Sequence, residues 1–501
     1  MPNARRCVAA IIATAITAAA CSSTTPAPSP SPSAARSSPS LAASASASLA
    51  AGSATPSAAP GSAPPLISQI LVRGSARELS SNPVTMSPAL DGMLYLAVPS
   101  RASTVVTRFD SAGRSTAGWP VTLDGTASCD AAMPLNDGSV RMVCRLRTAL
   151  GALESTRAFG FDARGRPLPG WPVDVDGGYV TGRLSGDTLH LLVTVPIDPQ
   201  SGGGDAITAY VLVSIGAGGA TARGRTAAAA AEGNELWGIG PDGVAYGVLP
   251  GVASVDMKGA SRITRITAEG RGAGIPVDGV ASALAFDPAG GFVLLSAYPR
   301  DRNSRVIRMT RPALDVSARS APLPFAAADP QSGDTGGCTS TVPAPPQIGA
   351  DDTILLYSDV DDRVLALDSS LKPAVGWPFE LPAALVHPRP GPESEHEAGY
   401  CPGPLAPQVG PDGTVYLALE THTSSLGGSL VGIGSDGRVR AGWPVQLTQA
   451  NAEFWSLVVG ANGTVYTVAY EPSAGGRSTA TLLAIAPDST ILYRTTIVAP
   501  G

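Results

Sequence analysis

The sequence predicts an all-β fold, a β-propeller of eight four-stranded blades, and three observations indicate it. The 501 residues include 57 glycines and 46 prolines, a composition rich in turns and poor in helix formers. Short apolar segments of alternating pattern are separated by tight-turn dipeptides, and a Gly-Trp-Pro motif recurs in step with them. Regular strand hairpins without helical periodicity between them are typical of a propeller.

Each repeat begins with a hairpin whose tight turn we call the first turn. Glycine, asparagine and aspartate suit such turns because they adopt positive φ angles at low cost. A readable strand follows nearly every copy, as in residues 414–419. Eight copies occur, at Asp91-Gly92, Asp137-Gly138, Gly186-Asp187, Asp242-Gly243, Gly290-Gly291, Asp351-Asp352, Asp412-Gly413 and Asn462-Gly463.

Each repeat continues with another hairpin, whose turn we call the second turn. It also occurs eight times, near Gly113, Gly165, Gly218, Gly270, Pro312, Ser370, Gly437 and Asp488. The motif follows at Gly118-Trp119-Pro120, Gly170-Trp171-Pro172, Gly376-Trp377-Pro378 and Gly442-Trp443-Pro444, and in reduced form at Gly274-Ile275-Pro276. We therefore expect the fourth strand of each unit to end in this motif.

The two counts of eight agree, so the sequence predicts eight blades in the folded region, residues 65–501. Seven blades are the alternative, because the units at 178–226 and 278–326 are diverged. A β-sandwich gives no reason for regular pairs of hairpins, and a parallel β-helix has shorter coils.

The N-terminus predicts export. Arg5 and Arg6 precede an uncharged segment that ends in small residues, so residues 1–20 are typical of a signal peptide. Ala18-Ala19-Ala20 ahead of Cys21 resembles the lipobox of bacterial lipoproteins, which implies that Cys21 is lipidated and anchors the chain to the outer face of the cell membrane. Ordinary cleavage and release is the alternative. Beyond Cys21, residues 22–64 are almost entirely Ala, Ser, Thr, Pro and Gly and predict a disordered tether.

Four cysteines are left after Cys7 in the signal and Cys21 in the anchor, and an even number in an exported protein favours two disulfides. Cys129 and Cys144 flank a first turn, so we expect them to pair across a hairpin. Cys338 and Cys401 each shortly precede the start of a blade, so we expect their disulfide to join blades 6 and 7. A zinc site is the other interpretation, but no Cys-x-x-Cys spacing occurs.

Residues 412–445, which run from Asp-Gly-Thr-Val-Tyr to Gly-Trp-Pro-Val, resemble the repeats of pyrroloquinoline-quinone-like (quinoprotein-type) propellers. The resemblance covers about residues 80–501 and is strongest in units 1, 2, 6 and 7. In that family a tryptophan near the end of each blade docks on the neighbouring blade. The resemblance therefore implies that role for Trp119, Trp171, Trp377 and Trp443.

An insertion at 386–400 is the most unusual loop of the folded region. It carries His387, Glu393, Glu395 and His396, and closely spaced His and Glu side chains bind divalent metals. A charged surface loop beside Cys401 explains it equally well.

Other motifs have a simpler interpretation as turns. The acidic pairs Asp174/Asp176 and Asp359/Asp361 offer too few oxygens for a calcium site. The Gly-x-Gly-x-x-Gly stretches at 238–243 and 432–437 lack the following helix that binds a dinucleotide. Neither pattern predicts a cofactor.

The function that these features predict is a non-catalytic binding or scaffold module that contacts a protein, a cell-wall polymer or a small ligand. A net charge of −6 disfavours nucleic acid as a partner. A propeller enzyme is the alternative, either a hydrolase or lyase, or a quinone-dependent dehydrogenase. For the latter the resemblance implies pyrroloquinoline quinone, calcium and a vicinal cysteine pair, and no adjacent cysteines occur in the sequence. We therefore expect no cofactor and no resident metal.

Overall fold

The structure, a computed structural model, describes most of the chain from Leu66 to Val498 as β-strands and the turns between them. The described residues are 66–71, 84–100, 102–130, 132–146, 155–196, 208–224, 227–228, 236–250, 260–287, 291–298, 303–325, 346–349, 351–358, 363–382, 405–419, 428–446, 453–472 and 478–498. None of these residues form a helix with the length and hydropathy needed to cross a bilayer.

The strands are short, as expected for a meander of hairpins. In chain order they are β1 (Leu66–Leu71), β2 (Thr85–Pro88), β3 (Leu94–Pro99), β4 (Ser103–Phe109), β5 (Val121–Asp124), β6 (Thr126–Cys129), β7 (Met133–Pro134), β8 (Val140–Leu146), β9 (Ser155–Phe161), β10 (Val173–Asp176), β11 (Gly178–Ser185), β12 (Thr188–Pro196), β13 (Thr208–Ile215), β14 (Thr221–Arg223), β15 (Ala227–Ala228), β16 (Leu236–Ile239), β17 (Ala245–Pro250), β18 (Ser261–Thr267), β19 (Gly270–Arg271), β20 (Ile275–Val277), β21 (Val280–Phe286), β22 (Gly291–Tyr298), β23 (Asn303–Thr310), β24 (Val316–Arg319), β25 (Gln347–Ile348), β26 (Ile354–Ser358), β27 (Arg363–Leu367), β28 (Phe379–Glu380), β29 (Gln408–Val409), β30 (Val415–Leu419), β31 (Ser429–Ile433), β32 (Val445–Gln446), β33 (Glu453–Val459), β34 (Val465–Pro472), β35 (Ser478–Ile485) and β36 (Ile491–Val498).

These strands form eight antiparallel blades that follow one another along the chain. The hydrogen-bonded orders are β2-β3-β4-β5, β6-β8-β9-β10, β11-β12-β13-β14, β16-β17-β18-β19, β21-β22-β23-β24, β25-β26-β27-β28, β29-β30-β31-β32 and β33-β34-β35-β36. Three blades have an interrupted edge strand, so that β7 also pairs with β8, β15 with β13 and β20 with β18. In addition, β1 lies parallel to β36 as a fifth strand of blade 8.

The innermost strands close the ring. β2 of blade 1 contacts β7 of blade 2, and β11 of blade 3 contacts β8 and β9. Contacts then pass from β11 to β16, β21, β25, β29 and β33, and β33 returns to β2. The prediction of eight blades is confirmed and the seven-blade alternative is wrong, because both diverged units form sheets of their own.

The antiparallel order gives the ring two different faces. All first and second turns lie on one face, which we call the turn face. The connections between second and third strands, and those between blades, leave from the opposite face, which we call the connection face.

The turn face repeats one local structure. In blade 1 the Ala89 N–H donates to the Met93 carbonyl at 2.8 Å, and the Asp91 Oδ1 accepts the Met93 N–H at 3.0 Å. This is the aspartate turn that the dipeptides predict. The predicted turns lie between the expected strands, and only Gly290 among their residues falls outside the described ranges.

The Gly-Trp-Pro motif lies between the second turn and the fourth strand, which is earlier in the blade than expected. In blade 1 the second turn is followed by a single bridge, Phe109 to Ser115. Gly118-Trp119-Pro120 comes next, and the outer strand β5 begins at Val121. The expectation that the fourth strand ends in the motif is therefore wrong, since the motif precedes that strand.

The core lies between blades, because every sheet packs a neighbour on each side. Strands β3, β26 and β30 are buried at every position, which explains why they are mostly apolar and do not alternate. One cluster joins Val306 of blade 5, Leu356 of blade 6 and Val431 of blade 7. Side-chain packing therefore links neighbouring blades as well as the strands of one blade.

Cys129 and Cys144 form a disulfide between the directly paired strands β6 and β8. This is the pairing that the flanked turn predicts. Cys338 and Cys401 lie outside the described residues, so their predicted disulfide stays a prediction, as does the lipidation of Cys21.

Candidate functional site

The turn face is closed by hydrogen bonds that each cross from one blade to the next. Four buried tryptophans donate their indole N–H to a backbone carbonyl in the second turn of the following blade. The pairs are Trp119 to Ala163 (3.2 Å), Trp171 to Ala217 (2.8 Å), Trp377 to Ser435 (3.3 Å) and Trp443 to Pro487 (3.2 Å). The indole rings themselves are 6–8% exposed.

The glycine of the motif allows the two backbones to meet at this junction. Gly170 has a φ of +79°, and a Cβ there would lie 2.0 Å from the Gly218 carbonyl oxygen. Gly219 approaches the Gly170 carbonyl in return, at a φ of +77°. A side chain at either position would separate blades 2 and 3, because L-residues disfavour this φ and the space is filled.

Arginine takes the place of tryptophan at two further junctions. Arg265 in β18 donates to the Pro312 carbonyl at 3.0 Å, and Arg308 in β23 donates to the Ser369 carbonyl at 2.9 Å. Both acceptors lie in the second turn of the next blade. Between blades 8 and 1, the Tyr493 ring lies against Gly113.

Arginine–aspartate pairs fix the first turns on the same face. Arg108 lies 2.5 Å from Asp91 in blade 1, and Arg440 pairs with Asp412 in blade 7. In blade 5 the carboxylate of Asp287, which is 3% exposed, lies 3.4 Å from Arg308.

His190 is the histidine that lies within the described residues. It occupies the position four residues after the start of the first turn, where blades 1, 4, 7 and 8 have Tyr95, Tyr246, Tyr416 and Tyr466. Its ring lies against Gly243 in the first turn of blade 4, and its Nδ1 is 2.9 Å from the Ser214 Oγ. Burial lowers the pKa of His190 although Asp242 opposes the shift. These contacts make His190 a packing residue at the junction of blades 3 and 4.

Two depressions lie near these junctions. One, of about 440 Å³, is polar and is lined by the first and second turns of blade 7, including Asp412, Asp436 and Arg440. The other, of about 190 Å³, is apolar and lies between β5 and blade 2, with Leu123 and Phe161 among its lining residues.

Among the described residues, Asp130 is the carboxyl group whose pKa is raised, and it lies away from the turn face. Asp130 follows Cys129 in the break between β6 and β7, on the innermost strand of blade 2. The Tyr179 hydroxyl, on the first strand of blade 3, donates a hydrogen bond to the Asp130 carboxylate. Arg145 donates to the Tyr179 carbonyl at 3.1 Å. Asp130 and Arg145 therefore hold Tyr179 from two sides.

The environment of Asp130 favours its neutral form. The residue is exposed, but the protein packed around its carboxyl raises the pKa, against the opposing effects of the Tyr179 hydrogen bond and the Arg145 charge. A carboxyl with a raised pKa beside a hydroxyl donor is able to hold or release a proton at the junction of blades 2 and 3.

His387, Glu393, Glu395 and His396 lie outside the described residues, as do Asp359 and Asp361. Asp174 forms a 2.5 Å ion pair with Arg157. Within the described ranges, no group of three His, Cys, Asp or Glu side chains is arranged to hold a metal ion.

Sequence reasoning missed Asp130, Tyr179 and the two docking arginines. Asp130 adjoins a predicted disulfide cysteine, which is a usable signal for its position. Tyr179 carried no signal, because its partner lies 49 residues away in another blade.

No protein-family model matches the chain, and no curated protein resembles it in sequence. Similar solved structures include virginiamycin B lyase from Staphylococcus aureus, at 11% identity over 60% of this chain and 98% of that one, with a TM-score of 0.34. Porphyromonas gingivalis dipeptidyl peptidase 4 is 9% identical over 84% of this chain and 62% of that one, at 0.48. The periplasmic gluconolactonase of Pseudomonas aeruginosa is 14% identical over 72% and 97%, at 0.41. At these identities and TM-scores the likeness says nothing about activity.

Replacing Trp171 by phenylalanine keeps a buried ring and removes the indole N–H that reaches Ala217. We expect the free energy of unfolding to fall by about 1 kcal/mol, the net worth of one hydrogen bond. Trp171→Ala also removes the ring and should cost about 3–5 kcal/mol. Urea unfolding followed by circular dichroism measures both. A Trp171→Phe protein as stable as the wild type would contradict a stabilising role for this bond.

Asp130→Asn should stabilise the protein at pH 7. The folded-state pKa of Asp130 is raised, so its ionised form costs stability in the fold, and this cost appears as the pH rises through the folded pKa. The gain in the free energy of unfolding should fade below about pH 4, where the Asp130 carboxyl of the wild type is protonated in both the folded and the unfolded state. Unfolding free energies at pH 3.5, 5 and 7 check this.

Tyr179→Phe is the matched control for Asp130→Asn. It removes the hydroxyl donor and should cost about 1–2 kcal/mol at pH 7. If Asp130→Asn is less stable than the wild type at pH 7, the ionised carboxylate stabilises the fold, and the raised pKa of Asp130 is wrong.

Proposed function

We propose that this chain is an exported propeller, anchored through a lipidated Cys21 to the outer face of the cell membrane, that acts as a non-catalytic binding or scaffold module through its connection face. The observation that carries the proposal is the different use of the two faces. Carbonyls of the turn face accept hydrogen bonds from neighbouring blades, and its carboxylates fix the first turns of their own blades, so that changes there disturb the ring.

The connection face meets different constraints. Long connections on a rigid scaffold vary at little cost to the fold and often carry binding residues. The insertion with His387, Glu393, Glu395 and His396 joins Pro382 to Leu405, between the last strand of blade 6 and the first strand of blade 7, which is a connection of this kind. The partner is a protein, a cell-wall polymer or a small ligand.

Two features support export. A disulfide between Cys129 and Cys144 persists most readily outside the cytosol. The predicted signal peptide and Cys21, which follows Ala20, agree with export.

Cys21→Ser tests the anchor. In a bacterial host the wild-type chain should label with palmitate and enter the detergent phase, and the Cys21→Ser chain should do neither. Cys7→Ser is the matched control, because it changes a cysteine of the signal and leaves the lipidated residue intact. Wild-type protein that is released into the medium would overturn the anchor.

Photo-crosslinking in the native host tests the binding face. A photoreactive residue at Asp124 or Asp176, exposed ends of outer strands on the connection face, should give a specific adduct. The matched controls are Ala112 and Arg164, exposed residues in second turns of the same two blades, and they should give none. Adducts from the turn face alone would refute the proposal.

A further inference from the structure

The junction of blades 3 and 4 is held by a different set of contacts from most of the ring. In the described part of the chain it is one of two junctions at which no tryptophan or arginine donates to the second turn of the next blade. The Ser185 Oγ donates to the Pro241 carbonyl at 2.8 Å. Arg183 donates to a carbonyl of β16 at a longer 3.4 Å, and the His190 ring lies against Gly243. The imidazole is therefore one of few contacts that hold these two blades together.

His190 and Arg183 lie side by side at this junction. They are directly opposite partners in the antiparallel pair of β11 and β12, so their side chains share one face of the sheet and their Cβ atoms are about 5 Å apart. Both side chains reach blade 4. A positive charge on His190 would stand directly opposite the Arg183 guanidinium, and like charges at such paired positions destabilise a sheet.

Asp242 offsets this repulsion only in part. It is the acidic residue of blade 4 that acts on the imidazole. Its carboxylate already lies 3.2 Å from the Arg311 Nη1 and accepts a hydrogen bond from the Tyr246 hydroxyl at 2.8 Å. Protonated His190 would thus be a third cation beside Arg183 and Arg311, around one carboxylate that is already engaged.

The neighbours on blade 3 add no buried negative charge. Ser214, on β13, is uncharged and lies 2.9 Å from the His190 Nδ1. Asp187, in the turn before β12, is exposed, so that water and salt screen its charge. The surroundings of the ring therefore favour the neutral imidazole.

We propose that the junction of blades 3 and 4 is an acid-sensitive joint of the ring, at which His190 packs against blade 4 when neutral and loosens that contact when protonated. Blades 1, 4, 7 and 8 have a tyrosine at this position, which stays uncharged below about pH 10. The joint depends neither on the lipid anchor nor on the binding face.

The direction of the pH dependence follows from the burial of the ring. Burial lowers the pKa of His190 below the ordinary histidine value of about 6.5. The contribution of the neutral ring to stability is therefore complete above that pH and is lost as the pH falls. Asp130, at the junction of blades 2 and 3, has a raised pKa and responds in the opposite direction. Blade 3 thus lies between two contacts with opposite responses to pH.

Histidine NMR of the full-length chain tests the electrostatics. The chain has four histidines, so the Cε1–H signal of His190 is identified by its absence from His190→Gln. In the wild type this signal should titrate below about pH 6.5. In Arg183→Gln, which keeps a hydrogen-bond donor and removes the opposite charge, it should titrate at a higher pH. Arg157→Gln, which removes an arginine of blade 2, is the matched control and should leave the titration unchanged.

A His190 signal that titrates at or above pH 6.5 in the wild type would overturn the proposal. The same titration in the wild type and in Arg183→Gln would also overturn it, because the opposite arginine would then have no effect on the imidazole.

Hydrogen exchange measures the loosening itself. For β16 and β17 of blade 4, the ratio of the exchange rate of the wild type to that of His190→Gln should rise at least about twofold between pH 7.5 and pH 5. Each ratio compares two proteins at one pH, so the intrinsic exchange rates cancel. Strands β26 and β27 of blade 6 are the internal control, and their ratio should stay constant. His190→Tyr, with the residue of four other blades, should behave as His190→Gln does.

A ratio for blade 4 that does not change with pH would overturn the joint. An equal rise in blade 6 would overturn it as well, because acid would then destabilise the whole ring instead of one junction. Neither result bears on the lipid anchor or on the binding face.

Discussion

A hydrogen bond from one blade to the second turn of the next is the contact on which the ring depends. In the described part of the chain it occurs at six of the eight junctions, four times from a tryptophan and three times from an arginine, because Trp119 and Arg108 both donate to Ala163. The acceptor is always a backbone carbonyl, so the turn supplies it whatever its sequence. A propeller closes only if every blade holds its neighbour at the same angle, and at six junctions a hydrogen bond to the same turn of the next blade helps to fix that angle.

These hydrogen bonds give the two faces of the ring different roles. The turn face uses its glycines, its aspartates and its turn carbonyls for assembly, as the reciprocal approach of Gly170 and Gly219 illustrates. His190 belongs to the same framework, because it packs where four other blades have tyrosine. The opposite face carries the connections between second and third strands and between blades.

Asp130 and Tyr179 lie outside this framework of turns. They join blades 2 and 3 at the innermost strands, beside a disulfide that fixes β6 against β8. A carboxyl with a raised pKa makes this contact between blades 2 and 3 sensitive to protonation, whereas the Trp171 hydrogen bond at the same junction involves no titrating group. On the turn face, by contrast, Asp91 and Asp412 are paired with arginine, and Asp137 and Asp488 cap their own turns.

The sequence by itself determined the number and order of the blades, because turn dipeptides and the Gly-Trp-Pro motif act locally and repeat. It also determined the pairing of Cys129 with Cys144, since a single hairpin brings them together. Only the tertiary structure decided that Arg265 and Arg308 replace tryptophan, that Tyr179 reaches Asp130, and that β1 joins blade 8. These contacts join residues that lie 47 to more than 400 positions apart in the chain, and no local pattern encodes which distant backbone a side chain meets once the ring has closed.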